Sequence, residues 1–107
     1  MKKLKFANNL IHLILSGEKT STWRLFDDKS LEIKDKLDFL DSEKEKKFAE
    51  AEIIEVREKK LGEIQEQDFE GHEKFENKEE MFKTYKKYYG DKITSNTIVK
   101  IIKFKLL

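Results

Sequence analysis

The sequence contains no cysteine and no proline, and only 4 of its 107 residues are glycine. The lack of cysteine excludes a disulfide framework and a thiolate metal site, which fits a protein of the reducing cytoplasm. No glycine-rich phosphate loop is present, and His12 has no partner at the spacing of metal ligands. We therefore expect neither a metal nor a cofactor.

An excess of one charge is also missing, because 23 basic residues nearly balance 22 acidic ones. This balance argues against a protein that coats nucleic acid through a broad positive surface, so any such contact must be local. No apolar run approaches the length that crosses a membrane, and the N terminus is too highly charged for a signal peptide. We expect a cytoplasmic protein that makes no membrane contact.

What the sequence does contain is the pattern of one α+β domain over residues 1–107. Strands are predicted at residues 4–6, 20–25, 48–56 and 97–107, and residues 31–40 are predicted to bend at Lys34 and Asp35 and lead into a further strand. A first helix is predicted over residues 9–16 with Asn8 as its cap, and a second begins after Asn77, which forms a capping box with Glu80. Five to six mainly antiparallel strands, with one N-terminal helix and one helical insertion before the last strand, predict a small curved β-barrel.

Two irregularities refine this prediction. The alternation within residues 48–56 changes parity, which predicts a β-bulge near Ile53 and Ile54, because one inserted residue reverses the faces of a strand. The second helix carries an aromatic stripe at helical spacing, which is typical of a core helix, although stacking on nucleic-acid bases is the alternative. Tyr88 or Tyr89 alone can reach a pocket from such a helix.

Chemically useful side chains concentrate in residues 16–24, between the first helix and the second strand. Gly17 can take the positive φ that ends a helix, after which Thr20, Thr22 and Arg24 fall on one face of the strand. A lysine, two hydroxyls and an arginine at this point can bind a phosphate or polarise a carbonyl. Spacing alone favours an ordinary turn with solvated charges, so both interpretations stay open.

The run of residues 14–24 resembles the signature of the ASCH domains, in which an apolar helix, a Gly-x-Lys-Thr turn and a strand ending in arginine follow one another. Residues 34–39 resemble the family's Gly-Asp strand entry, with Lys34 in place of the usual glycine, and Glu70 with Gly71 resembles its mid-chain Glu-Gly pair. The resemblance implies a PUA-like β-barrel that binds RNA or a modified nucleoside in a cleft lined by the motif.

This resemblance supplies the expected ligand-binding residues and the expected partner. The binding residues are Lys19, Thr20, Thr22, Trp23 and Arg24. The partner is RNA or a modified nucleoside, and we expect the chain to bind it as a monomer. An interaction domain unrelated to this family is the remaining alternative.

The chain is also similar to the small bacterial amidohydrolases that remove the acetyl group from N4-acetylcytidine with a lysine, a threonine and a glutamate. Lys19 and Thr22 match the first two, and Glu70 is the expected third member, although the alignment can slip to Glu66 or Glu73. A desolvated lysine can accept the proton of a threonine hydroxyl, and a carboxylate can orient either group. We expect a binding module, with amide hydrolysis as the alternative.

Overall fold

A curled five-stranded sheet and two α-helices make up the chain, and the computed structural model describes all residues, 1–107. The elements are β1 (Lys2–Phe6), α1 (Asn8–Leu15), β2 (Ser21–Leu25), β3 (Lys36–Asp41), β4 (Lys47–Lys60), α2 (Lys78–Tyr89) and β5 (Ile98–Leu106), with short 3₁₀ turns at Leu61–Glu63 and Glu66–Phe69. The α+β class is therefore confirmed. Neither helix is both long enough and apolar enough to cross a membrane.

The strands lie in the order β1-β3-β4-β5-β2. All neighbours are antiparallel except β1 and β3, which run parallel. The sheet curls into a half-barrel, in agreement with the predicted curved and mainly antiparallel barrel. It does not close, because the edge strands β1 and β2 do not pair with each other. A side chain spans this opening, because Nη2 of Arg24 donates a hydrogen bond to the backbone oxygen of Lys5 at 3.1 Å.

Each face of the sheet covers its own hydrophobic core. The first core consists of Leu4, Phe6, Ile14, Leu31, Leu37, Phe39, Ala51, Ile53, Ile102 and Phe104. The second core consists of Trp23, Leu25, Leu61, Ile64, Met81, Tyr85, Ile93, Val99 and Ile101. Successive residues of β2 face opposite sides of the sheet, which separates the two cores. Trp23 therefore faces the second core, and Thr22, which is paired with Ile102, faces the first.

Several local predictions are confirmed. The register of β4 against β5 shifts between Ile53 and Glu55, at the expected bulge. Gly17 has a φ of +84° just after α1. The Asn77 side chain caps α2 by accepting a hydrogen bond from the backbone N–H of Glu80 at 2.9 Å, although the return bond to the Glu80 side chain that a capping box requires is not formed. The turn residues of the sequence thus determine where these elements begin and end.

One local prediction is wrong. Asn8 is the first residue of α1 rather than its cap, because its side chain instead donates to the carboxylate of Asp41 at 3.1 Å. The bend predicted at Lys34 and Asp35 is present, because Lys34 has a φ of +72°, and β3 begins after it at Lys36. As a result, Ile33 is exposed.

Candidate functional site

A cleft of about 540 Å³ opens at the gap between the two edge strands. Its walls are formed by β1 and the start of α1, by β2, by residues 72–75 and by the C-terminal half of α2. Four of the five residues predicted to bind ligand line it, and these are Lys19, Thr22, Trp23 and Arg24. The cleft therefore lies where the sequence concentrates its chemistry.

Lys19 is a buried cation with a defined partner. Its side chain is 3% exposed, and Nζ donates to the backbone oxygen of Ser21 at 2.7 Å and to Oε2 of Glu73 at 2.5 Å. Burial lowers the pKa of Lys19, although the charge of Glu73 opposes this shift. Burial likewise favours the neutral acid at Glu73, but neighbouring His72, followed by the Lys19 ammonium and its hydrogen bond, holds the pKa of that carboxyl below its ordinary value.

Among the three candidate carboxylates, the structure brings only Glu73 into the cleft. Glu70, the expected third member of the set, lines a separate pocket together with Glu66, and its backbone oxygen accepts a hydrogen bond from the Ser21 hydroxyl at 3.1 Å. Glu66 pairs with Lys74 at 3.0 Å. Glu73 therefore lies beside Lys19 in the cleft, in the place predicted for Glu70.

Gly71 explains this arrangement. Its φ is +71°, and its backbone oxygen accepts hydrogen bonds from the N–H groups of Thr20 and Ser21, at 2.9 and 3.1 Å. A Cβ atom at this position would lie 2.0 Å from Oγ1 of Thr20, so only glycine fits. These hydrogen bonds hold Gly71 against the start of β2. Thr20, one of the residues predicted to bind ligand, lies outside the cleft.

Thr22 and Arg24 lie on the same face of β2, as the alternation predicts. Thr22 is 4% exposed, and its hydroxyl forms no hydrogen bond within the chain. The guanidinium of Arg24 packs over the ring of Phe6, 4.9 Å from its centroid. Burial lowers the pKa of Arg24, but an arginine stays charged in proteins.

Trp23 forms a wall of the cleft rather than a free stacking platform. It is 4% exposed, and its ring stacks on His72 with the centroids 4.2 Å apart and the planes inclined by 18°. Phe69 and Tyr85 also contact it. Tyr88 provides the accessible aromatic surface, because it lines the cleft and is 71% exposed.

His72 is a site residue that sequence reasoning missed. Its side chain is buried, and Nδ1 lies 2.7 Å from the backbone oxygen of Glu73, so this nitrogen carries the proton and donates it. Burial, followed by the charge of Lys19, lowers the pKa of His72 to about 4, which keeps the imidazole neutral near pH 7. In the sequence, only its position between Gly71 and Glu73 could indicate that it belongs to the site. That indication requires knowledge of the path that residues 70–73 take.

The buried imidazole predicts a pH-dependent stability. In the unfolded chain His72 gains a proton near pH 6.5, whereas in the folded chain it does so only near pH 4. Lowering the pH through this window should therefore reduce the free energy of unfolding by about 3 kcal/mol, before the carboxylates contribute. Urea denaturation at several pH values measures the loss.

Two variants control this measurement. His72→Gln should flatten the slope between pH 6.5 and 4. His12→Gln should leave it unchanged, because His12 is the only other histidine and is exposed. An equal slope in the wild type and in His72→Gln would show that His72 does not carry the effect.

Comparison with known proteins extends this description. The family model described as the ASCH domain matches residues 1–107. Solved structures with a similar fold include a protein from Enterococcus faecalis, with a TM-score of 0.77, 18% identity and coverage of 94% of this chain and 71% of the other. An ASCH domain from Lactobacillus crispatus gives a TM-score of 0.72 at 15% identity, covering 92% of this chain and 70% of the other.

A third solved structure, of a protein from Pyrococcus furiosus, gives a TM-score of 0.67 at 18% identity and covers 99% of this chain and 96% of the other. No curated protein matches the sequence. The solved structures support the fold, and the family assignment depends on the match of the ASCH model over the full length. The chain belongs to the ASCH domain family, whose fold is PUA-like.

Proposed function

We propose that the cleft binds a nucleoside, either free or as a unit of RNA. The observation that carries this proposal is a cleft of about 540 Å³ that combines an accessible aromatic ring, Tyr88, with the directional donors of Arg24. The volume falls in the range that holds small ligands. The near-zero net charge favours a local contact of this kind over a long nucleic-acid track.

Aromatic stacking supplies the attraction for the base in this proposal. Tyr88 and Tyr89 lie on the α2 side of the cleft, and Phe6 lies on the β1 side beneath Arg24. A base that enters between these walls can stack on a tyrosine while the arginine donates to its acceptor atoms. Trp23 shapes the floor, since His72 already covers its ring.

Hydrolysis of an amide on the base is a second candidate, and one observation favours it. The hydrogen-bonded Lys19–Glu73 pair lines the same cleft as the hydroxyl of Thr22. Transfer of a proton from Lys19 to Glu73 would convert the ammonium and carboxylate into a neutral amine and a carboxylic acid, and the burial that lowers the pKa of Lys19 favours this transfer. The pair then contains both a base and an acid.

The second candidate reaction proceeds through an acetyl ester on Thr22. The amine of Lys19 accepts the proton of the Thr22 hydroxyl while Oγ1 attacks the carbonyl carbon of the acetyl group. Glu73 donates its proton to the leaving nitrogen as the C–N bond breaks, which leaves an acetyl ester on Thr22. Water then hydrolyses this ester, so that amide and water give amine and acetate.

The experiment that tests the proposal uses N4-acetylcytidine, cytidine and a short oligoribonucleotide. We expect the wild-type chain to bind the nucleosides, and Tyr88→Ala to weaken binding about tenfold through lost stacking. NMR titration measures affinity, and chromatography detects cytidine and acetate if amide hydrolysis occurs. Ile33→Ala, which shortens an exposed apolar residue on another surface, serves as the control.

The outcomes separate the two candidates. Binding with release of cytidine supports both, and binding without turnover supports the binding module and rejects the enzyme. If none of the three ligands binds, the proposal is wrong.

A further inference from the structure

Arg24 is a partly buried cation in the cleft that forms no ion pair. Three other buried or partly buried cations each contact a carboxylate, and these pairs are Lys19 with Glu73, Lys59 with Asp68 and Lys100 with Asp27. Arg24 instead contacts only the backbone oxygen of Lys5 and the ring of Phe6. A shielded charge without a counterion is costly, so its presence calls for an explanation.

The donors of Arg24 are only partly used. Nη2 donates to the oxygen of Lys5, whereas Nε is buried without any hydrogen-bond partner. Nη1 forms no hydrogen bond within the chain and belongs to a residue that lines the cleft. A guanidinium that one hydrogen bond fixes in place, and that has N–H donors without a partner, can bind an anion in a fixed orientation.

The other charges around the cleft also favour an anionic ligand. The opposite charges of Lys19 and Glu73 largely cancel, so Arg24 leaves a positive charge inside the cleft. Lys5 at the rim is already paired with Glu45 at 2.5 Å. An anionic ligand supplies the counterion that the fold omits.

The distance along β2 indicates where the anion sits in the ligand. Thr22 and Arg24 share one face of the strand and lie two residues apart, which corresponds to about 7 Å. A ligand that reaches both must therefore carry its anion apart from the group that faces Thr22. A nucleotide fits this requirement, because the sugar separates its phosphate from its base.

We infer that the cleft recognises a nucleotide rather than an uncharged nucleoside, and that Arg24 binds its phosphate. This inference depends on the proposed binding of a nucleoside unit and adds the charged group to it. The phosphate can belong to a mononucleotide or to an RNA strand, since both present the same oxygens to a guanidinium.

The test compares cytidine, cytidine 5′-monophosphate and the dinucleotide CpA in calorimetric titrations at low salt. The wild-type chain should bind at least one phosphate-bearing ligand about tenfold or more tightly than cytidine, as charge-assisted hydrogen bonds require. Arg24→Gln should reduce this preference to about twofold or less, and Arg24→Lys should restore part of it. A gain with the mononucleotide alone identifies a terminal phosphate as the source, and a gain with CpA identifies an RNA strand.

Lys36→Gln is the matched control, because it removes one positive charge from an exposed residue outside the cleft and should leave the preference intact. Equal affinity of the wild-type chain for all three ligands overturns the inference while the proposed nucleoside binding stands, and this result does not depend on whether Arg24→Gln folds. Loss of preference in Lys36→Gln as well assigns the effect to overall charge and also overturns it. Failure to bind any of the three rejects both proposals.

Discussion

Thr22→Ala is expected to lower the rate of N4-acetylcytidine hydrolysis by about 10²- to 10⁴-fold if the chain is an amidohydrolase, because the attacking oxygen is lost. Affinity for the ligand should change little, since the hydroxyl acts mainly on the transition state. Thr22→Ser keeps the hydroxyl and should retain part of the activity. Single-turnover release of cytidine, measured beside the dissociation constant, separates the two effects.

Thr20→Ala provides a matched control for this experiment. It removes a threonine hydroxyl two residues before Thr22, at a side chain that packs on Gly71 outside the cleft. Turnover should therefore stay close to that of the wild type. Full activity in Thr22→Ala would mean that Thr22 is not the nucleophile, whatever the chain binds.

Glu73→Gln is expected to affect both stability and turnover, whereas Glu70→Gln should affect neither. Removing the Glu73 charge leaves the Lys19 ammonium, which is 3% exposed, without its counterion. We expect a loss of about 2 to 3 kcal/mol in the free energy of unfolding, somewhat below the usual cost of breaking a buried pair because Glu73 is partly exposed. If the chain is an amidohydrolase, hydrolysis should fall by about 10²-fold or more, because the acid for the leaving amine is lost.

A double variant distinguishes the structural role of the pair from its chemical role. Lys19→Met combined with Glu73→Gln removes both charges and should recover much of the stability lost in Glu73→Gln, but none of the activity. Urea denaturation and the turnover assay give the two readings. If Glu70→Gln proves as damaging as Glu73→Gln, the assignment of the carboxylate is wrong.

The part of the site that the sequence predicts is the part that lies on a regular element. Alternation along β2 correctly places Thr22 and Arg24 on one face and Trp23 on the other, because a strand has a fixed period. Gly17 ends α1 as predicted, since few other residues adopt its positive φ. The helix, turn and strand of the motif follow from local chemistry alone.

The part that sequence reasoning misses depends on the path of an irregular segment. Three glutamates lie within eight positions of one another, and no periodicity distinguishes Glu73 from Glu66 or Glu70. Hydrogen bonds between Gly71 and β2 decide among them, and these join residues about fifty positions apart. The neutral state of His72 is equally hidden, because it results from burial against Trp23 and from the nearby charge of Lys19.

The hydrogen bonds to Gly71 make the position of the Glu73 carboxylate independent of the shape of the cleft wall. Backbone groups of Thr20 and Ser21 hold the segment in place, so its position depends little on the side chains that follow. Tyr88, which is exposed in the cleft wall, can then change in size or polarity while the carboxylate of Glu73 keeps its place beside Lys19. The same Lys19–Glu73 pair can thus lie beneath cleft walls of different shapes, provided that the glycine is retained.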